Sequence, residues 1–245
     1  MMANYLFDSW NAVARRLGAS RRVALILDFD GTLAPICAHP SLAVVPAAVR
    51  ELLVRIAHLS RLRLWIVTGR QQADLQAQLG VPGLQILGVY GGTLPAGGEQ
   101  AIQDACRKTT VLLESMPGVW VENKTICFAI HYREADRATV RRARRLVRRI
   151  LPAGMQIRSG KCVWEIVPSG FCEKGDTVRK LLANQPPLTL PIIAGDDGAD
   201  ESAFAASPAG VTVRVGWSQD TEAKYYVRTP REMWEFLRRL EETVA

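Results

Sequence analysis

The chain has 245 residues, 48% of them hydrophobic, with 31 Lys plus Arg against 24 Asp plus Glu for a net charge of +7. That is enough apolar material for a sizeable core, in one large domain or one domain carrying a smaller one. No segment approaches the ~20 apolar residues of a membrane span. Cys37, Cys106, Cys127, Cys162 and Cys172 show no zinc-ligand spacing with His39, His58 and His131. The start, Met-Met-Ala-Asn-Tyr-Leu-Phe-Asp, lacks the basic-then-apolar order of a secretory signal, so the expected location is the cytoplasm.

Leu6, Trp10, Val13 and Leu17 recur at helical spacing, and Gly18 is expected just past the helix end. Val23 to Leu27 reads as a first strand, followed by Asp28-Phe29-Asp30-Gly31-Thr32. Pro46 opens a helix with an apolar face of Val49, Leu52, Leu53, Ile56 and Leu59. Leu64 to Val67 is a second strand, then Thr68-Gly69-Arg70 leads into a helix ending at Leu79, and Leu84 to Val89 is a third strand. Continuous apolar strands alternating with amphipathic helices predict a parallel sheet covered on both faces.

Residues 91–99 are rich in glycine and read as a linker. Beyond it the spacing predicts a helix over about 101–115, strands at 119–122 and 125–132 around Asn123-Lys124, and a basic helix. Strands at 155–158 and 161–167 follow, joined by Ser159-Gly160, which predicts a small α+β layer. After Pro168-Ser169-Gly170 the α/β rhythm resumes with a helix over 175–183, strands at 190–194 and 211–215, and a helix from Pro230. The expected architecture is a doubly wound parallel-sheet core of residues 1–96 and 169–245, with an inserted α+β cap over 97–168.

Four polar stations stand at the C-terminal ends of predicted strands or just after a loop, the edge where open α/β proteins bind ligands. Asp28 can attack phosphorus as a nucleophile, and Asp30 can protonate a poor leaving group and then deprotonate water. Thr68 and the Gly69 amide can hold a phosphate oxygen. Lys174 at a helix start is unfavourable for the helix dipole unless an anion sits beside it. Asp196, Asp197 and Asp200 in Gly-Asp-Asp-Gly-Ala-Asp-Glu form an acidic loop suited to a hard cation such as Mg²⁺.

In this order the four stations resemble the haloacid dehalogenase superfamily. That resemblance implies Asp28 as nucleophile, Asp30 as acid/base, Thr68 and Lys174 as phosphoryl contacts, and Mg²⁺ held by Asp28, the Asp30 carbonyl and Asp196, with Asp200 and Asp197 ordering its waters. From about residue 23 onward the chain resembles the trehalose-6-phosphate phosphatases. It carries Asp-Phe-Asp-Gly-Thr-Leu-Ala-Pro-Ile, Ile66-Val-Thr-Gly-Arg70, Val121-Glu-Asn-Lys124, His131-Tyr-Arg133, Val163-Trp-Glu-Ile-Val-Pro168, Lys174-Gly175 and Gly-Asp-Asp-Gly-Ala-Asp-Glu-Ser-Ala-Phe204. The resemblance implies Mg²⁺-dependent hydrolysis of trehalose 6-phosphate, with Glu122, Lys124 and Glu165 gripping the distal glucose. His131, Arg133, Gly69 and Arg70 are further expected substrate contacts. Tyr90-Gly91-Gly92-Thr93 stands where that family has a His-Gly-x-Glu loop, and Ala199 where it commonly has Thr.

Two other readings remain: a phosphatase for another sugar phosphate, such as sucrose or mannosyl-glycerate phosphate, and a nucleic-acid module built on Arg137, Arg141, Arg142, Arg144, Arg145, Arg148 and Arg149. Val140, Ala143, Val147 and Ile150 form a stripe, so those arginines largely fill the opposite, solvated face. No aromatic residues interleave them as stacking platforms. A small-molecule sugar phosphate is the expected partner, with no nucleic acid and no membrane.

Overall fold

Strands of continuous apolar character and strands of alternating character occupy separate sheets. The computed structural model describes residues 2–92 and 98–245. In chain order the first elements are β1 (Asn4–Tyr5), α1 (Trp10–Ala19), β2 (Arg22–Leu27), α2 (Ala47–Ala57), β3 (Leu62–Val67), α3 (Gln72–Leu79) and β4 (Gln85–Leu87). The middle of the chain forms α4 (Gly98–Leu113), β5 (Trp120–Asn123), β6 (Phe128–His131), α5 (Arg137–Ile150), β7 (Met155–Gly160) and β8 (Val163–Pro168). The remainder forms α6 (Lys174–Ala183), β9 (Thr189–Gly195), α7 (Gly198–Ala205), β10 (Val211–Val215), β11 (Tyr225–Val227) and α8 (Pro230–Val244).

The chain divides into two compact units, residues 1–91 with 173–245 and residues 92–172. In the first, seven strands lie in the order β1-β11-β10-β9-β2-β3-β4, every neighbouring pair parallel. Strand parity explains why both faces are covered. Val23, Leu25 and Leu27 of β2 join the cluster that includes Val13 and Leu17 of α1, Leu53 and Ile56 of α2, and Phe236 and Leu240 of α8. The intervening Ala24 and Ile26 join Trp65, Ile193, Val178 of α6 and Phe204 of α7. From Val23 to Leu27 this strand is buried on both sides and has no polar position, and the carboxylates come immediately after it.

In the second unit β5-β6-β8-β7 form an antiparallel sheet. One face carries Phe128, Ile130, Trp164 and Ile166 against Ile102 and Leu113 of α4 and Ala143 and Val147 of α5. Alternation therefore leaves the opposite face to Trp120, Glu122, His131 and Glu165.

Several elements differ from expectation. Gly18 lies inside α1, whose C-cap is Ser20, and Leu6 precedes the helix. Strand β4 stops at Leu87, because Val89 and Tyr90 adopt positive φ values of 46° and 56° in a tight turn. Gly98 and Glu99, read as linker, belong to α4; of that linker, residues 93–97 lie outside the described residues, as does the expected boundary at 96/97. Ser159 and Gly160 belong to β7, and the turn falls one step later at Lys161-Cys162, with Cys162 at φ 63°. Strands β1 and β11 were not expected; they pair with each other, Asn4 against Tyr225.

Candidate active site

The strand order places β2 and β9 side by side, with β3 and β4 running off in one direction and β10 and β11 in the other. Such a reversal opens a crevice beyond the carboxyl ends of the two central strands. Asp28 follows β2 and Asp196 follows β9, and the Asp28 amide donates to the Ala194 carbonyl at 2.9 Å, which fixes their register. Among the described residues, Asp28, Asp196 and Asp200 bring carboxylate oxygens within 4.8 Å of one another, all three buried.

Lys174, the first residue of α6, lies between two of them. Its Nζ donates to Asp28 Oδ1 at 2.7 Å and meets Asp200 Oδ1 at 2.5 Å, while only 3% of the residue is exposed. Asp200 is fixed from behind, its Oδ2 accepting from the amides of Asp196 and Asp197 at 2.9 and 3.1 Å. Asp197 caps α7, accepting from the Ala199 amide at 2.8 Å, and is not among the three converging carboxylates. Glycine is required where the loops close: a Cβ on Gly31, which has φ 84°, would stand 2.1 Å from an Asp196 carboxylate oxygen.

Burial pushes the Asp28 carboxyl well above its usual range; Lys174 opposes the shift and Asp200 and Asp196 reinforce it. Burial likewise raises Asp197, to about 7, with Asp200 adding to it. Burial works against the charge on Lys174, but Asp200 and Asp28 more than offset it and raise its pKa. Three carboxylates beside one ammonium leave an excess of negative charge in a dry place, the environment a divalent cation neutralises. An all-oxygen donor set fits Mg²⁺ chemically.

Thr68 follows β3 and is 1% exposed; its amide donates to Leu87 O at 3.1 Å and its Oγ1 accepts from the Arg70 amide at 3.2 Å. Arg70, expected as a substrate contact, directs its guanidinium to Asp30. Nε and one terminal nitrogen clasp Asp30 Oδ2 and Oδ1, each at 2.7 Å. Tyr90, in the strained turn after β4, holds its ring centroid 6.0 Å from Lys174 Nζ, and its carbonyl accepts from the Thr177 hydroxyl at 2.5 Å.

In the second unit Glu122 and Glu165 both pair in register with Ala129, so they flank it on one face, about 10 Å apart across two strand spacings. Lys124 Nζ donates to Glu165 Oε1 at 3.0 Å and is 7% exposed, so it is no solvated hairpin tip. Glu165 and Glu122 raise its pKa against the opposing effect of burial. His131 Nε2 lies 2.7 Å from Glu122 Oε2, and its ring stacks on Trp120 at 3.9 Å with planes 8° apart. Arg133 donates to the Lys161 carbonyl at 2.9 Å. Trp120 was not foreseen, although its alternation with Glu122 is the signal that places it on this face.

The family model described as trehalose-phosphatase matches residues 26–229. A trehalose-phosphate phosphatase from Mycobacterium ulcerans is 33% identical over 257 residues, covering 95% of this chain but 65% of the relative, so the chain spans slightly under two thirds of that protein. The C-terminal domain of trehalose-6-phosphate phosphatase from C. albicans shares the fold, with a TM-score of 0.81 at 20% identity over 99% of this chain and 98% of that one. A trehalose-6-phosphate phosphatase related protein is similar at 25% identity and a TM-score of 0.74, over 89% of this chain and 97% of that one. No helix among the described residues is long and apolar enough to cross a membrane.

Proposed function

The chain belongs to the trehalose-phosphatase family, and we propose that it hydrolyses trehalose 6-phosphate to trehalose and inorganic phosphate. The observation that carries this reading is the buried Asp28–Lys174–Asp200 contact beside Asp196, at the junction of the two central strands.

An Asp28 oxygen attacks phosphorus, and the bond to the sugar oxygen breaks. Asp30 gives that oxygen a proton, because a sugar alkoxide is a poor leaving group. Asp30, now ionised, takes a proton from water; the water oxygen bonds to phosphorus, phosphate departs, and the Asp28 carboxylate is restored. Two displacements replace one difficult hydrolysis. Lys174, Thr68 and the Gly69 amide hold the non-bridging phosphoryl oxygens and stabilise the charge that develops on them. Asp28, the Asp30 carbonyl and Asp196 would hold Mg²⁺, with Asp200 and Asp197 ordering its waters. The cation would supply charge neutralisation for the phosphoryl group and for the carboxylate cluster.

On the polar sheet face, Glu122 and Glu165 accept from glucose hydroxyls while Lys124 donates to them; His131 steadies Glu122, and Arg133 adds an outer contact. The substrate is a small sugar phosphate in the cytoplasm, not a nucleic acid.

Phosphate release measured over a panel of sugar phosphates, with and without Mg²⁺, tests this reading. Trehalose 6-phosphate is expected to turn over best, and chelation to abolish turnover. Faster release from sucrose 6-phosphate or mannosyl-glycerate phosphate would move the assignment to that sugar, and undiminished activity after chelation would overturn the metal's role.

A further inference from the structure

We infer that Arg70 is a positioning residue, holding the Asp30 carboxylate in the orientation its proton transfers require. This rests on the reading of Asp30 as the acid/base. Asp30 lies on a turn, and 41% of its side chain is exposed. An exposed carboxylate rotates unless something holds it, and proton transfer needs a fixed reach to the leaving oxygen.

Arg70 supplies the hold: Nε to Oδ2 and a terminal nitrogen to Oδ1, both at 2.7 Å, the two-point fork of a charge-assisted pair. An ionised carboxylate has about four lone-pair positions, so the fork leaves roughly half of them for a proton and a substrate.

The fork is itself braced. The nitrogen that meets Oδ1 also donates to the Pro40 carbonyl at 2.7 Å, and the other terminal nitrogen donates to Gln78 Oε1 at 3.0 Å. Gln78 in turn donates to the Ala43 carbonyl at 2.7 Å. The Arg70 guanidinium lies 4.7 Å from the centroid of the fully buried Phe29 ring. Its backbone is tied at both ends, the amide to Thr68 Oγ1 and the carbonyl to the Val89 amide. With four N–H groups committed in this way, Arg70 is arranged to orient a carboxylate rather than to grip a phosphoryl group.

Leaving groups separate the two roles. Trehalose must be protonated as it leaves, whereas p-nitrophenolate leaves without a proton, and kcat/KM reports the steps through that departure. Arg70→Gln is expected to lower kcat/KM for trehalose 6-phosphate about a hundredfold and for p-nitrophenyl phosphate less than about tenfold. Arg70→Lys, which keeps the charge but not the fork, is expected to show the same split and serves if the glutamine variant does not fold. In an Asp30→Asn background, Arg70→Gln should add no further loss. Equal losses on both substrates, or a full additional loss in that background, would overturn the inference while leaving the proposed function intact. If Asp30→Asn itself depressed both substrates equally, the acid/base reading would fall, and the role of Arg70 with it.

Discussion

Lys174 is an ammonium 3% exposed at the first position of a helix, a place where the helix dipole disfavours positive charge. It is tolerated because Asp28 and Asp200 stand within hydrogen-bonding distance of it. Removing one partner of such a buried pair typically costs about 3–5 kcal/mol, because the other charge is left uncompensated. The same crowding makes Gly31 a sensitive position. An added methyl would have to displace the Asp196 carboxylate, whose oxygen lies 2.1 Å from the new Cβ, in a backbone conformation of φ 84° that favours glycine. If Asp196 holds the metal as proposed, Gly31→Ala should lower kcat by about a hundredfold or more, as expected when a group of the site is displaced by roughly an ångström. It should also destabilise the fold by about 1–3 kcal/mol. Steady-state kinetics and urea unfolding check both, and wild-type kcat in this variant would mean that Asp196 does not need its position. At this scale the sequence exposes Asp28, Thr68 and Asp196, because each follows an apolar run, whereas Lys174 follows the loop Pro168-Ser-Gly-Phe-Cys-Glu173 and is marked only by its company. The Asp30–Arg70 clasp is hidden, since it joins residues forty positions apart and depends on the pairing of β2 with β3.

At the scale of elements, α5 is the clearest case of a helix decided by one face. Ala143 and Val147 are fully buried, while seven arginines occupy exposed positions. With no acidic residue in the helix, its start depends on Asp136, which precedes it. The Asp136 Oδ1 accepts from the amides of Ala138 and Thr139 at 2.7 and 2.9 Å. The backbone bond to Thr139, then its hydroxyl and the Ala138 amide, hold this carboxyl below its usual range. A group whose pKa is lowered by folding contributes stability above its unfolded pKa and loses it as the pH falls through the folded value. Asp136→Asn should therefore lower the melting temperature at neutral pH, and the gap to wild type should close in acid. Melts between neutral and acidic pH would show this, and a gap that widened in acid would contradict the sign.

The elements that the sequence misses share a cause. β1 has two residues and exists only by pairing with β11, which no local pattern announces. The positive φ values at Val89, Tyr90 and Cys162 are imposed by surrounding contacts on residues that rarely adopt them.

Across the whole molecule, one unit carries the carboxylate–lysine cluster and the other a sheet with one apolar and one polar face. The chain's net charge of +7 equals the seven arginines of α5, so the cation excess is concentrated in one helix. The doubly wound core is legible because helical and strand periodicities alternate in a regular order. The polar face of the second sheet is legible only in part: Glu122 and Glu165 are marked by the family resemblance, whereas the burial of Lys124 against Glu165 comes from the pairing of β6 with β8, which sets Glu165 beside Ala129.

The central claim, that phosphoryl transfer proceeds through Asp28, has a direct chemical readout. Wild-type enzyme is quenched in acid during turnover of trehalose 6-phosphate with Mg²⁺, reduced with borohydride and mapped by mass spectrometry. An aspartyl phosphate is reduced to homoserine, whereas a free carboxylate is not. Homoserine is expected at position 28, dependent on both substrate and metal. Steady phosphate release with Asp28 unaltered, or homoserine at another position, would contradict the claim.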